Sequence, residues 1–411
     1  MKDILAQLTD SQKFLIAYSG GLDSHALLHK MSVLKKQNPV IQLRTIHVHH
    51  GLHKKADQWA AHCETVCKQL DIPLSIKKIN IPDHTGDSIE ALAREARYRT
   101  IAEHLDEDEC VLTAHTMDDQ AETLLLQLIR GAGPKGLSAM PMRKPFAHSV
   151  LLRPLLKTTR ETLEQYAAAQ ALIWVEDESN QDHQFDRNYL RHRVMPLLKA
   201  RWPAVLNTLS RSAQHCANTS NLLTEFADQD LMQLQGSAEN TLSVSSLMQL
   251  SSDRRSSIFR HWLQTFGLNF PSTKQVQQFE KNMLQCDEDA TPVMIFDTMQ
   301  MRRYRDDIYL LPLFEDFDKH TVLSWDLKAP LKLPGNLGEL QPAAEYHSFD
   351  DAISLRFRQG GEKIKPVGSD YTQSLKKLFQ AWGVPPWERD RIPLLYSGDC
   401  LIEVIGYCRS F

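Results

Sequence analysis

The chain has 411 residues, 42% hydrophobic and 24% charged, with a formal net charge of −4. It is too long for one small domain, has no apolar run near the ~20 residues of a membrane span, and is not a generally basic nucleic-acid binder. Its seven cysteines are odd in number, scattered and contain no C-x-x-C pair, which argues against a disulfide framework and removes the usual support for zinc-ribbon or iron–sulfur sites.

The N-terminal residues Met-Lys-Asp-Ile-Leu-Ala-Gln lack the apolar core of a signal peptide, so a cytoplasmic protein without membrane partners is expected. Residues 14–18 (FLIAY) read as a buried strand and 25–34 as a helix. Between them stands Ser19-Gly20-Gly21-Leu22-Asp23-Ser24. A strand turning through Ser-Gly-Gly into a helix brings backbone N–H groups to the positive helix end. The glycines admit close approach of an anion, and the serine hydroxyls can donate to phosphate oxygens. Asp23 beside a bound phosphate implies an intervening Mg²⁺. The run is neither a Walker A loop, since no Lys follows Gly21, nor G-x-G-x-x-G. The plainer alternative is a strand-turn-helix with a capping serine.

Residues 43–48 form a second expected strand, ending in His47-Val48-His49-His50. His47 and His49 share a strand face, but no third ligand is evident. Nucleotide contact or packing at the strand end is therefore preferred to a metal site. A helix over 55–70 carries Cys63 and Cys67 on one face as buried thiols. A strand over 74–81 and a helix over 88–105 follow; Glu90, Arg94, Arg97 and Tyr98 lie there at helical spacing, as an ion-paired face or one turned toward the nucleotide. The fourth strand, 110–114, leads into His115-Thr116-Met117-Asp118-Asp119-Gln120-Ala121-Glu122-Thr123. If a helix starts near Thr116, Asp118 and Glu122 lie one turn apart, as do Asp119 and Glu122. Acids in a first turn suit the macrodipole; the sharper reading is a site for Mg²⁺ or a cationic substrate. Strands separated by helices imply a Rossmann-like parallel α/β sheet, with ligands at the carboxyl edge of the strands, where all three polar clusters fall.

The loop 130–137, RGAGPKGL, holds Arg130 and Lys135 among glycines, and reads as a linker or as a cover for phosphates or RNA. Residues 158–217 look helical, with Thr158 as cap and Glu161 three residues on. From 187 to 216 the cations Arg187, Arg191, Arg193, Lys199, Arg201 and Arg211 meet no Asp or Glu. Such an acid-free stretch in an acidic chain suits an RNA backbone. The expected domains are 1–217, the α/β domain that carries the phosphate loop; 218–340, mainly helical with a hairpin over 294–311 and a Pro/Gly linker at 330–338; and 345–411, a small α+β domain. The last is crowded with Arg356, Arg358, Lys363, Lys365, Lys376 and Lys377, interspersed with Phe357, Phe379, Trp382 and Trp387. Some of those aromatics must form its core, and the outward cations suit structured RNA.

SGGLDS resembles the PP-loop of the N-type ATP pyrophosphatases. Taken with HVHHGL (47–52), the 90–98 segment, HTMDDQAET (115–123), RGAGPKGLSAM (130–140), RPLL (153–156), EDESN (176–180), RNYLRHRVMP (187–196), RFRQGGE (356–362), LKKLFQ (375–380) and VPPW (384–387), it resembles the tRNA(Ile)-lysidine synthetase family. About half the residues carry the resemblance, and 218–340 contributes little to it.

The resemblance implies a ligase that adenylates O2 of the wobble cytidine in a CAU-anticodon isoleucine tRNA, then joins free L-lysine through its ε-amine to give lysidine. It changes codon reading from AUG to AUA and releases AMP and pyrophosphate. ATP is assigned to Ser19, Gly20, Gly21, Leu22, Asp23, Ser24, His47, His49 and His115, with Asp23 also on Mg²⁺. Asp23, Asp118, Asp119 and Glu122 are the catalytic candidates. The tRNA is assigned to Arg130, Lys135, Arg187, Asn188, Arg191, Arg193, Arg356, Arg358, Lys376 and Lys377. A homodimer is left open. A cytidine thiolase of the same superfamily is the alternative enzyme, disfavoured by the missing cysteine pair. A non-catalytic RNA-binding relic is disfavoured by the intact loop and acid cluster.

Overall fold

A computed structural model describes the chain apart from residues 1–11, 50, 52–54, 80–88, 177–183, 288–289, 344–345, 347–351 and 411, and apart from the side chains of 89–91. His50, Leu52 and 177–180 of the motifs above therefore lie outside the described residues. The chain divides into two compact units, Met1–Leu223 and Thr224–Phe411.

The first unit is built on a six-stranded sheet of order β3-β2-β1-β4-β6-β5. Its strands are β1 (Lys13–Ala17), β2 (Gln42–His49), β3 (Leu74–Lys78), β4 (Glu109–Leu112), β5 (Arg143–Phe146) and β6 (Ser149–Leu152). All neighbours pair in parallel except the hairpin partners β5 and β6. The crossovers are α1 (Leu22–Gln37), α2 (Ala56–Leu70) and α3 (Ile89–Glu103). Alternation along β1 places Phe14 and Ile16 in one core with Leu27, Met31, Cys63 and Leu163, and Leu15 in the opposite core with Ile46, Ile101 and Val111. Strand order reverses between β1 and β4, so the crevice at their carboxyl ends is where such a sheet binds ligands.

After β4, Thr116 caps α4 (Met117–Ile129) in a reciprocal capping box with Asp119. A single turn, α5 (Pro134–Leu137), follows the glycine-rich loop. The expected helix over 158–217 is broken into pieces. Its cap is Thr159, not Thr158: Thr159 Oγ1 accepts the Thr162 N–H, and α6 runs Arg160–Ala169. The Thr158 carbonyl is engaged elsewhere, accepting the Met117 N–H at 2.9 Å. Beyond α6 the backbone leaves the helix through Ala171 (φ 49°), and Val175 N–H donates to the Gly20 carbonyl at 3.1 Å. Helix then resumes as α7 (Asp186–Tyr189), a π-helical turn at Leu190–Val194, α8 (Met195–Arg201) and the long α9 (Val205–Gln233).

In the second unit, helices pack on a four-stranded antiparallel sheet around Phe259, Phe279, Met301 and Ile308, with β7 (Thr241–Ser243) at one edge. The hairpin expected at 294–311 is a three-strand meander: β8 (Val293–Phe296), β9 (Met299–Tyr304) and β10 (Asp307–Pro312). The Pro/Gly stretch holds a small two-stranded sheet, Leu331–Lys332 with Glu339–Leu340. Residues 353–409 supply four strands of a five-stranded sheet beside the helix Leu375–Ala381. Phe357 and Phe379 are core residues there, whereas Trp387 sits edge-on to Tyr309, 5.2 Å between ring centroids.

Candidate active site

The segment between β1 and α1 is tied together by its own serines. Ser24 Oγ donates to the Gly21 carbonyl at 3.0 Å, so the 3.0 Å contact between Ser19 Oγ and Ser24 Oγ has Ser19 as donor. Ser24 Oγ also accepts the Ser19 N–H at 3.3 Å. Gly20 has φ +85°, and a Cβ there would stand 3.0 Å from both Cys63 Sγ and Val175 Cγ2. Only glycine fits, because the backbone is left-handed and pressed from behind by α2 and the 175 segment. Leu22 is buried, so only its backbone faces the loop. The first N–H groups of α1 have no partner within the helix, and they sit at its positive end.

Asp23 lies in the first turn of α1 with its side chain 25% exposed. Its Oδ2 is 3.5 Å from Arg160 Nη1, while its Oδ1 is buried and has no hydrogen-bond partner. Burial pushes this carboxyl up to about 6; Arg160 and Arg191 pull it down, and Asp119 and Asp118 push it further up. Asp23 and the acids of α4 thus share one edge, at the strand-order reversal.

Each α4 carboxylate is held by cations from far along the chain. Asp118 accepts the Arg160 N–H at 2.8 Å and Lys199 Nζ at 2.6 Å. Asp119 accepts the Thr116 N–H at 2.8 Å through one oxygen, and Arg187 Nη2 (3.1 Å) and Arg191 Nη2 (2.8 Å) through the other. Glu122, 1% exposed, takes a two-pronged contact from Arg191, Nε at 2.7 Å and Nη2 at 2.8 Å, plus Arg187 Nε at 3.1 Å. Burial alone would raise the Asp119 carboxyl, but Arg187 and Arg191 hold it below its ordinary value. A cavity of about 270 Å³ opens here, lined by Asp118, Glu122, Arg160, Arg191, Met195 and Lys199 among others. Its floor is acidic and its wall is the basic helix, so it can take a group carrying both charges, or a cation exchanged for one of its own.

The histidines are engaged locally. His47 Nδ1 donates to the Tyr18 carbonyl at 2.9 Å, and burial lowers its basicity. His49 Nδ1 accepts the Gly51 N–H, so its proton is on Nε2, 3.2 Å from Asp57 Oδ1. His115 Nδ1 is 3.0 Å from Thr113 Oγ1. Burial drives His115 down to about 3, against the pull of Asp119 and with the push of Arg153, Arg187 and Arg94; it is neutral at any working pH.

Of the remaining cations, Arg130 and Lys135 are exposed around the glycine-rich loop, and Arg193 is exposed on the π-helical turn beside half-buried Asn188 and Arg187. In the second unit Lys376 and Lys377 are exposed. Arg356 stacks 4.4 Å from the Tyr396 ring centroid and donates to the Gly398 carbonyl, and Arg358 pairs with Asp390 at 2.7 Å. Arg160 was not singled out from sequence and Lys199 was read only as one cation of a stretch suited to RNA, yet both reach the carboxylates. The signal was present: an acid-free basic stretch and a nearby cation-poor acid cluster are natural partners.

Family comparisons agree with this architecture. A PP-loop domain matches residues 1–198, a TilS substrate binding domain matches 242–309, and a TilS substrate C-terminal domain matches 353–410. The chain is 45% identical over 410 residues to tRNA(Ile)-lysidine synthase from Coxiella burnetii (strain RSA 493 / Nine Mile phase I), covering 98% of this chain and 91% of that protein. It is 43% identical over 427 residues to the protein of the same name from Yersinia pseudotuberculosis serotype O:1b (strain IP 31758), covering 99% and 94%. It is also 43% identical over 404 residues to that of Salmonella paratyphi B (strain ATCC BAA-1250 / SPB7), covering 97% and 93%. The chain belongs to the tRNA(Ile)-lysidine synthase family of ligases.

Proposed function

We propose that this enzyme joins free lysine, through its ε-amine, to C2 of the wobble cytidine of a CAU-anticodon isoleucine tRNA, after ATP has adenylated O2 of that base. The observation that carries the reading is the meeting, at one sheet edge, of the Ser19–Ser24 loop with two buried carboxylates, Asp118 and Glu122, and half-buried Asp119.

In the first step O2 attacks the α-phosphate and pyrophosphate leaves, toward the N–H groups and hydroxyls of 19–24. Among the described residues no three His, Cys, Asp or Glu side chains are placed to hold a metal by themselves. A Mg²⁺ shared between one carboxylate and phosphates fits better, and Asp23, with its unpartnered buried Oδ1, is the residue to hold it. Such an ion would screen phosphate charge from Asp23 and from the acids beyond it.

In the second step the ε-nitrogen attacks C2, the C2–O2 bond breaks and AMP leaves. The nucleophile must be a neutral amine, whereas free lysine is mostly an ammonium near pH 7. A carboxylate must therefore bind the cation and then accept its proton. Asp118 is best placed to begin this, because its partner Lys199 is itself an ammonium and its side chain is 43% exposed. One ammonium replacing another leaves the local charge unchanged. Glu122, clamped by Arg187 and Arg191, completes the acidic floor on which the amine is aligned, and Asp119 braces the same two arginines. A lysine on C2 in place of O2 makes the base pair with A rather than G, changing the codon read from AUG to AUA.

The test is incorporation of radiolabelled lysine into CAU-anticodon isoleucine tRNA and into methionine tRNA, with and without ATP. ATP-dependent labelling of the isoleucine species alone is expected. ATP consumption dependent on tRNA, without labelling, would move the reading to a thiolase or another nucleophile.

A further inference from the structure

The PP-loop and the acid-lined cavity leave one cationic cluster without a task. Helix α3 starts at the carboxyl edge of the sheet and carries Arg94, Arg97 and Tyr98; Arg153 follows β6 at the same edge. Arg94 and Arg97 stand 5.4 and 5.5 Å from the Tyr98 ring centroid. Tyr98 is also a polar neighbour of Arg153, and Arg94 is close enough to weaken the hold of both Arg97 and Arg153 on their protons. Arg153 is only 5% exposed; its Nη1 donates to the Pro141 carbonyl at 2.6 Å, and its Nε is buried with no partner.

Among the described residues no carboxylate pairs with Arg94, Arg97 or Arg153, while Arg187 adds a further positive charge next to Arg97. Of the three, Arg94 is exposed, Arg97 half-buried and Arg153 buried, and a buried guanidinium nitrogen without a partner, as at Arg153 Nε, is costly. Such an arrangement is what a planar, multi-donor phosphate site looks like before its phosphate arrives.

This cluster is separate from the PP-loop. Asp23 stands in the first turn of α1 and meets Arg160 at 3.5 Å, whereas Arg94 and Arg97 are carried by α3 and Arg153 follows β6. We propose that Arg94, Arg97 and Arg153, gathered around Tyr98, form a second anion site that takes a phosphodiester of the RNA strand next to the target base. This rests on the reading that RNA is the substrate. One anion site then holds the nucleotide and the other pins the strand, so that a base extruded between them meets the carboxylates; Tyr98 and His115 supply flat, neutral surfaces beside the backbone.

The test uses the full chain and a complete isoleucine tRNA ligated from halves, with a single methylphosphonate at each linkage flanking the target cytidine in turn. Wild type is expected to lose about tenfold in tRNA affinity at one linkage, the scale of a lost charge-assisted contact. Arg97→Ala should lose a similar factor on unmodified tRNA and be blind to that methylphosphonate, with the KM for ATP unchanged. Arg153→Lys keeps the charge but not the fork and provides the same cycle should Arg97→Ala fail to fold by circular dichroism. Equal sensitivity of wild type and variants at every linkage would overturn the proposal. So would a raised KM for ATP with unchanged tRNA affinity, which would assign the cluster to the nucleotide. The lysine-incorporation assay on wild type separates the two claims. Incorporation without the methylphosphonate cycle refutes this site alone. A positive cycle without incorporation keeps the site and refutes the reaction.

Discussion

Replacing Asp23 with Asn should stabilise the ligand-free protein at neutral pH while disabling it. Burial and the neighbouring acids raise this carboxyl from 3.8 to about 6, more than Arg160 and Arg191 compensate. Ionised Asp23 therefore costs the folded state about 3 kcal/mol relative to its ordinary titration, with a side chain only 25% exposed to screen it. The sign follows from proton counting. Between pH 3.8 and about 6 the folded protein holds a proton on Asp23 that the unfolded chain has released, so stability falls as pH rises through that window. The cost is absent below 3.8 and fully present above 6. Urea unfolding of Asp23→Asn and wild type, without nucleotide or Mg²⁺, should show the variant about 2–3 kcal/mol more stable at pH 7.5, a gap closing toward pH 4. Mg²⁺ with ATP should then stabilise wild type and not the variant. A variant less stable than wild type at pH 7.5, or a gap that does not move with pH, would refute the account of Asp23 as a carboxylate held apart for a cation.

Two further substitutions probe the phosphate loop and the distal surface. Gly20→Ala forces a side chain into a left-handed backbone 3.0 Å from Cys63 Sγ and Val175 Cγ2; it should cost about 1–3 kcal/mol in unfolding experiments and raise the KM for ATP, and an unchanged KM would separate the loop from the nucleotide. Arg358→Ala should weaken tRNA binding and lower the magnitude of its salt slope by about one, leaving the KM for ATP untouched; a raised KM for ATP with normal tRNA affinity would sink that assignment.

The parallel sheet was legible because its strands are short apolar runs separated by amphipathic helices, and a period of that kind survives without tertiary context. The start of α4 near Thr116 was legible too, although the capping box that fixes it, Thr116 with Asp119, was not read. What could not be read was the company the acids keep. Arg187 lies 65 residues from Glu122, Arg191 lies 72 from Asp119, and Lys199 lies 81 from Asp118. No local pattern encodes a pairing that the fold makes by bringing α7 and the π-helical turn back over α4. An acid-free basic stretch reads as a surface for RNA when its complementary acids belong to another motif. The misplaced cap at Thr158 has the same origin: two adjacent threonines offer equal local chemistry, and the Met117 N–H taking the Thr158 carbonyl decides between them. Arg153 was noticed only as part of RPLL, because a buried guanidinium with an unpartnered nitrogen is a property of the folded interior.

The charges of the cavity also decide the order in which ligands can bind well. Asp23, Asp118, Asp119 and Glu122 face Arg160, Arg187, Arg191 and Lys199, four negative groups against four positive ones. Into a balanced, partly buried set, a lysine ammonium can enter only by expelling a cation or by arriving with an anion. Mg²⁺ and ATP together bring net negative charge to the Asp23–Arg160 end, drawing arginine away from the acids and leaving a carboxylate able to accept the ammonium. Lysine binding should therefore be weak to the free enzyme and strengthen by about 5–150-fold with Mg²⁺ and ATP present, and lysine must tighten ATP by the same factor. Calorimetric titration of each ligand in the presence and absence of the other, with a non-cleavable ATP analogue, measures both sides of that cycle. Equal lysine affinity in both titrations would mean that these ion pairs are a fixed scaffold and that the ammonium binds elsewhere.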